Sequence, residues 1–417
     1  MGATVSVNLG RVMSRRVVAI SFLLLVGAVL RSLQYLAQTS LWLDEIMLSR
    51  NVLGRDLGRL LFEPLDYKQV APAGFLALQK LAVSFVGGNE MGLRLVPWLS
   101  ALGGLVLFWR LAARFVSGAP LLLSVGLFAL SPTLTVHGGD AKQYAVDVTA
   151  VLAVVLLALR FREPPADRRR ATIAAVAGGA AILVSQPAVL AGGALGAVLL
   201  LERRSLPSPR PPAAPFLLLV SGWGLCALAS VGVAFATLAP ATREYMRSFW
   251  AGGFFPAPWA GADAALWLPR TLGDVFGHFL FYVPEIALAL TLAAGAMGVL
   301  AVLGVASRAR ARSWDMALLV APILLALLAS ALRLYPVRDR VAIWMGPLLL
   351  VAAGVGLQAA ARRLPERVRP ALIGIACALL LAPDLGILLL EPPPYRSPDI
   401  RPVLEQVAAQ RREGDAV

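Results

Sequence analysis

Long apolar stretches alternate with short polar segments along the chain. Each apolar run holds about 20 residues with almost no charge, and a helix of that length crosses the hydrocarbon core of a bilayer. The pattern predicts an all-α, polytopic membrane protein with about eleven transmembrane helices. We place them near 17–37, 94–113, 119–136, 144–160, 172–186, 187–201, 213–238, 283–305, 315–333, 341–360 and 370–390.

Two apolar segments depart from this pattern. Residues 73–86 form a short run with Gln79 and Lys80 at its centre. Such a run is typical of an interfacial helix, so we predict that it lies along the outer surface within the first outer loop and does not span. A proline interrupts the run 171–201, and proline disfavours helical backbone in the residue before it. We therefore expect two short helices hinged at 185–187.

Composition agrees with a membrane protein, and the placement of the charges argues against a nucleic-acid-binding protein. The chain is 59% hydrophobic, whereas soluble domains are about 45–50% apolar. Its net charge of +14 would suit a nucleic-acid-binding protein. However, the arginines cluster in short loops at alternate ends of the apolar runs, which is the positive-inside pattern. We predict no nucleic-acid partner, a cytoplasmic N-terminus, and cytoplasmic loops near 165, 206, 310 and 365.

The remaining loops then face outward, and they are longer and of mixed charge. The two longest are 38–93 and 239–282. We interpret residues 1–390 as one transmembrane domain. Residues 391–417 would form a short extracytoplasmic tail, with a proline-rich exit and an amphipathic stretch, like the remnant of a shortened outer domain.

Asp44 and Glu45 lie in the first outer loop, about seven residues after the first predicted helix. Adjacent carboxylates near a membrane surface repel each other and lose solvent, so the pKa of at least one should rise. Such a carboxylate could accept a proton from an alcohol or amine nucleophile. Alternatively, the pair begins an interfacial helix and complements its dipole.

Lys68 stands between Tyr67 and Gln69 later in the same loop, and it is one of only three lysines in the chain. A lysine ahead of an interfacial helix could hold a phosphate as a compact point charge. The alternative is an ordinary surface lysine.

A short turn between two predicted helices gathers polar side chains at their outer ends. These are His137, Asp140, Lys142, Gln143 and Tyr144. Asp147 lies one turn deeper, and an ionisable residue inside a span is by default a functional hypothesis. A structural pair between Asp147 and a lysine or arginine is the alternative.

Two further outer segments carry candidate binding residues. Aromatic residues around Trp250 could stack on a sugar or form an interfacial belt. Tyr335, Arg338 and Arg340 lie in an outer loop, against the positive-inside trend. Outward arginines of this kind suggest anion binding, unless they merely snorkel from helix ends.

Taken in order, these features resemble the polytopic GT-C glycosyltransferase superfamily. The likeness is greatest to its bacterial branch related to protein O-mannosyltransferases and lipid A aminoarabinose transferase, and it covers most of residues 15–360. The matching pieces are the Asp44-Glu45 pair, the segments 71–75 and 90–97, the 131–144 turn and the 335–340 loop. One departure is Lys142, where the family often has arginine.

The resemblance implies a membrane glycosyltransferase in the bacterial cytoplasmic (inner) membrane. It would transfer a sugar, with inversion, from a polyprenyl-phosphate donor to a glycan, lipid or protein acceptor on the extracytoplasmic face. The family's first-loop aspartate maps to Asp44 as general base, and Glu45 would orient Asp44 or the acceptor. The donor phosphate would be bound by Lys68, Lys142, Tyr335, Arg338 and Arg340, and the substrates by Gln69, His137, Asp140, Tyr144 and Trp250.

No cofactor is required if these cations stabilise the leaving phosphate, although a divalent metal held by Asp44 and Asp140 stays open. Two histidines are too few for a histidine-based metal site. Two rival functions also remain. One is a lipid or solute transporter, which would need an inverted repeat and broken helices at mid-membrane. The other is a non-catalytic membrane subunit derived from the same fold.

Overall fold

The computed structural model describes residues 2–164, 167–207, 211–256, 261–279, 287–309, 313–395 and 400–411, and all regular structure within them is helical. The all-α prediction is therefore confirmed. Parts of the arginine-rich loops near 165, 206 and 310 and the last six residues lie outside these ranges.

Eight of the described helices are long and apolar enough to cross a membrane, or nine if one bent pair is a single span. They are Arg15–Leu36, Glu90–Phe115, Tyr144–Arg162, Ala213–Thr237, Leu288–Arg308, Trp314–Ala331, Met345–Arg363 and Arg369–Leu390; the first belongs to a longer helix, Gly2–Leu36, and Leu288–Arg308 to Ala287–Ala309. Two further helices, Arg168–Val184 and Gln186–Ser205, pack between these. The total of eleven spans stays a prediction.

The bent pair is Ala119–Leu130 with Pro132–Gly138, at 45°. Pro132 lacks the N–H that would bond Phe128, so the helix breaks there and leaves free carbonyls. Buried Arg31 supplies the missing donors: its Nη2 donates to Phe128 O at 2.9 Å and its Nη1 to Ala129 O at 2.8 Å. The break places residues 137–142 at the end of the bundle.

A second break falls at Ser185, within the predicted hinge. Ser185 Oγ accepts from Ala188 N at 3.2 Å, which caps the Gln186–Ser205 helix. The same hydroxyl donates to Asp147 Oδ1 at 2.7 Å. Asp147 therefore holds a helix break through a serine, and this geometry favours a structural role for it.

Shorter helices surround the polar end of the bundle. They are Leu43–Gly54, Leu57–Phe62, the 3-10 turn Asp66–Lys68, Ala73–Val86, Pro240–Phe249, the 3-10 turn Ala251–Gly253, Ala262–Phe279, Asp339–Ala342 and Arg401–Gln410. Ala73–Val86 has 14 residues, about 21 Å of helix, which is too short for a hydrocarbon core of about 30 Å. The predicted loop 239–282 contains two α-helices that the sequence pattern did not predict.

Candidate active site

The site is built around a buried ion pair. Glu45 and Arg94 are 3% and 2% exposed, and Arg94 Nη2 lies 3.3 Å from Glu45 Oε1. Glu45 also accepts from two backbone groups, Ala141 N at 2.6 Å and Trp42 N at 2.7 Å. One carboxylate thus ties the first outer loop to the 139–143 turn. Burial raises the pKa of Glu45 and Asp140 adds to the effect, whereas Arg94 and the backbone donors oppose it.

Arg94 was not among the residues predicted for the site. Besides Glu45, its Nη1 donates to Thr39 O at 2.6 Å and its Nη2 to Ser40 O at 3.3 Å. It therefore fixes the segment that precedes Asp44. The signal for it was its place in the 90–97 segment, one turn into a spanning helix, where a charge is costly unless it is paired.

Asp44 lies beside Glu45 and faces two cations from other parts of the chain. Its Oδ2 is 2.9 Å from Arg340 Nη1 and 3.9 Å from Lys142 Nζ. The Arg340 guanidinium also stacks over Tyr144, 5.5 Å from the ring centroid. Three of the predicted residues that are far apart in sequence, at 44, 142 and 340, are thus brought into contact.

Lys142 is held by Gln69, whose Oε1 accepts from Lys142 Nζ at 2.6 Å. Burial lowers the pKa of Lys142 to about 8, opposed by the Asp44 carboxylate and reinforced by the Arg340 charge. The charge of this buried ammonium is therefore only partly compensated. An added phosphate would bind it favourably, because the phosphate would replace the solvation that burial removed.

A polar cleft of about 440 Å³ opens next to this cluster, lined by His137, Phe249, Trp250, Arg338, Asp339 and Arg340. His137 Nδ1 is 2.7 Å from Asp140 Oδ2. Arg338 Nε pairs with Asp339 Oδ2 at 3.3 Å. An aromatic wall with hydrogen-bonding groups suits the two faces of a sugar ring.

A small groove of about 30 Å³ lies between the 38–93 loop and the end of the Ala213–Thr237 helix, and its lining includes Leu60, Val70, Leu76 and Val233. Gln69, whose amide holds Lys142, also lines this groove.

Two predicted phosphate ligands lie in other surroundings. Lys68 Nζ stacks over the Tyr245 ring at 4.5 Å, on a turn whose residues 67 and 68 have left-handed backbone. The Tyr335 hydroxyl is buried, donating to Val341 O at 2.6 Å and accepting from Trp344 Nε1 at 3.0 Å. These contacts favour a structural role for Tyr335.

Within the described part of the chain, no group of three or more His, Cys, Asp or Glu side chains is arranged to hold a metal ion.

The family model described as dolichyl-phosphate-mannose-protein mannosyltransferase matches residues 70–225. The crystal structure of ArnT from Cupriavidus metallidurans bound to undecaprenyl phosphate superposes with a TM-score of 0.53 at 19% identity, covering 89% of this chain and 65% of ArnT. Its apo form gives 0.51 at 18% identity, with coverage of 88% and 65%. No curated protein sequence matches the chain.

The oligosaccharyltransferase from Archaeoglobus fulgidus, in complex with Zn and sulfate, gives a TM-score of 0.52 at 12% identity over 95% of this chain and 56% of that one. The fold is that of the GT-C glycosyltransferase superfamily. Within the superfamily, the likeness is to the ArnT and protein mannosyltransferase branch, and the resemblance predicted from the sequence is confirmed. The chain spans about two thirds of ArnT and little more than half of the oligosaccharyltransferase.

Proposed function

We propose that this chain is a GT-C glycosyltransferase that moves a sugar from a polyprenyl-phosphate donor to an acceptor on the extracytoplasmic face of a bacterial inner membrane. The observation that carries the proposal is the contact of Asp44 with both Lys142 and Arg340. Asp44 is thus a carboxylate beside two cations. One of them, Arg340, lines the polar cleft, and Gln69, the partner of the other, lines the groove.

In the proposed reaction, the donor phosphate binds Lys142 and Arg340, and these cations turn from Asp44 towards it. The Asp44 carboxylate then takes the proton of the acceptor hydroxyl as general base. The acceptor oxygen attacks the anomeric carbon from the face opposite the phosphate, which inverts that carbon. The bond between carbon and phosphate oxygen breaks, and the electron pair leaves on polyprenyl phosphate, whose charge the two cations stabilise.

The remaining residues take supporting roles in this proposal. The prenyl chain would lie in the groove beside Gln69. The acceptor would enter the polar cleft past His137, Asp140 and Trp250. The Tyr144 ring would pack against the Arg340 guanidinium and hold it in place. Glu45 would act as a positioning residue for Asp44. Arg338 would add charge at the cleft mouth, and Lys68 would do so nearer the groove.

Asp44→Asn tests the general base, because it keeps the side-chain shape and removes the proton acceptor. Transfer from polyprenyl-phosphate sugars should fall about 10²–10⁴-fold, while binding of undecaprenyl phosphate stays near that of the natural chain. Asp56→Asn is the matched control, since Asp56 is an exposed helix cap in the same loop. Full specific activity in Asp44→Asn would remove Asp44 from catalysis.

Orientation is tested by labelling two exposed serines at opposite ends of the bundle. In a chain with Cys226 and Cys377 changed to alanine, Ser84→Cys should react with an impermeant maleimide in intact cells. Ser205→Cys should react only after permeabilisation, because the arginine-rich end faces the cytoplasm. Equal labelling of both, or the reverse order, would contradict the extracytoplasmic site.

A further inference from the structure

The chain after the last spanning helix returns to the outer end of the first helix. Gln34, two residues before that helix ends, is 4% exposed and uses both the oxygen and the nitrogen of its amide to bond one residue of the tail. Gln34 Oε1 accepts from Tyr395 N at 2.8 Å, and Gln34 Nε2 donates to Tyr395 O at 3.2 Å. A side-chain amide carries a donor and an acceptor side by side, which matches the N–H and C=O of a single residue.

A second fastening lies just beyond it. Arg401, at the start of the exposed Arg401–Gln410 helix, donates from Nη2 to Gln38 O at 2.6 Å, and its Nη1 lies 4.0 Å from Glu90 Oε1. Gln38 has a left-handed backbone, with φ of 47°. That conformation is unfavourable for a residue other than glycine and persists where surrounding contacts impose it.

The contacts of Gln34 and Arg401 connect to the hydrogen bonds that hold the loop carrying Asp44. Gln38 immediately precedes Thr39 and Ser40, whose carbonyls bind Arg94, and Arg94 binds Glu45 next to Asp44. Glu90 is one turn from Arg94 on the same helix. The segment from helix 1 to Asp44 is therefore held by Arg94 on one side and by the tail on the other.

We infer that Gln34 and Arg401 are positioning residues: through their contacts, Tyr395 and the Arg401–Gln410 helix hold the loop that carries Asp44. The expected effect on the rate of sugar transfer rests on the proposed function, whereas the expected effect on the mobility of the loop does not. Lys142 is held by Gln69, which is not part of the tail, so loss of the tail contacts should misplace the base while the donor-binding lysine keeps this partner.

The loop is tested directly with a nitroxide at Leu43→Cys, an exposed position beside Asp44, in the full chain in lipid without its two natural cysteines. Gln34→Leu and Arg401→Met should each make the label more mobile. Arg401→Lys should restore the natural spectrum. Arg411→Met, at the other end of the tail helix, is the matched control and should leave the label unchanged.

Kinetics provide the second readout. A displacement of about 1 Å can cost up to about a hundredfold in rate, so we expect kcat for sugar transfer to fall roughly tenfold or more in Gln34→Leu and Arg401→Met, with unchanged binding of undecaprenyl phosphate. If Gln34→Leu does not fold, the exposed Arg401 pair of variants decides.

The inference is overturned if the label at residue 43 keeps its mobility in both variants, or if Arg411→Met loosens it equally. If the label becomes more mobile in the variants but the natural chain transfers no sugar, the positioning role of the tail contacts still holds. That result counts against the proposed function alone.

Discussion

Lys142 and Arg162 flank the two ends of one helix, Tyr144–Arg162, and both meet carboxylates, but in different ways. Arg162 makes two parallel bonds to Glu202, Nε to Oε2 at 2.6 Å and Nη2 to Oε1 at 2.5 Å, and also contacts Asp315. This fork geometry satisfies the guanidinium and joins the ends of three helices. Lys142 instead shares one oxygen of Asp44 with Arg340 and lies 3.9 Å from it.

The difference distinguishes a network that holds helices from one that can change partners. At the Arg162 end two carboxylates pair with one cation, so the charge of this arginine is already compensated. At the Asp44 end two cations share one carboxylate, and one of these cations is buried. An added anion stabilises such a cluster, because the anion compensates a charge that burial has removed from solvent.

The largest expected effect concerns the buried pair beneath the site. Arg94→Met leaves Glu45 charged and buried, so the free energy of unfolding should fall by about 3–5 kcal/mol. Arg162→Met, at the opposite end, removes contacts that are partly solvated and should cost on the order of 1 kcal/mol. Denaturant unfolding in detergent measures both. Equal losses would show that the two networks do not differ in the way described.

The spanning helices could be predicted because length and hydrophobicity alone decide them. The Pro240–Phe249 and Ala262–Phe279 helices could not, because they are amphipathic and contain no long apolar run that would mark them in the sequence. The break at Ser185 was predictable because proline acts locally. Pro132 acts in the same local way, but the pattern placed it inside one predicted helix, 119–136, and the donors that satisfy the freed carbonyls come from Arg31, about a hundred residues earlier.

The candidate site divides in the same way. Asp44, Lys142 and Arg340 stood out as charges where charge is unexpected, and the structure places them in contact. The pairing of Glu45 with Arg94 could not be read from the chain, since 49 residues separate them and an arginine near a helix end resembles a topology signal. Tyr335 was assigned from its loop alone, and its hydroxyl lies on Val341 and Trp344.

The next effect separates the two ends by ligand binding. A hydrogen bond to a charged group is worth about 1.5–3 kcal/mol, so Lys142→Ala should weaken binding of undecaprenyl phosphate roughly 10–150-fold. Arg162→Ala removes a paired cation at the other end of the same helix and should leave binding unchanged. Equilibrium binding to purified protein in detergent measures both. Unchanged affinity in Lys142→Ala would remove this lysine from the donor site.

The smallest effect is the pH dependence of that same binding. The pKa of Lys142 is lowered by burial to about 8, so its charged fraction falls from roughly nine tenths at pH 7 to one tenth at pH 9. Only the ammonium form pairs with phosphate, and a bound phosphate favours that form. Binding should therefore be strong below the pKa and weaken up to about tenfold as pH rises through it.

The lipid phosphate does not cause this change, because its second ionisation lies near pH 6 and is largely complete by pH 7. Lys142→Arg provides the control, since a guanidinium keeps its charge throughout this range. We expect this variant to bind undecaprenyl phosphate with little change between pH 7 and 9. A natural chain whose affinity stays flat across that interval, or an arginine variant that keeps the same slope, would show that some other group titrates and that Lys142 does not meet the phosphate.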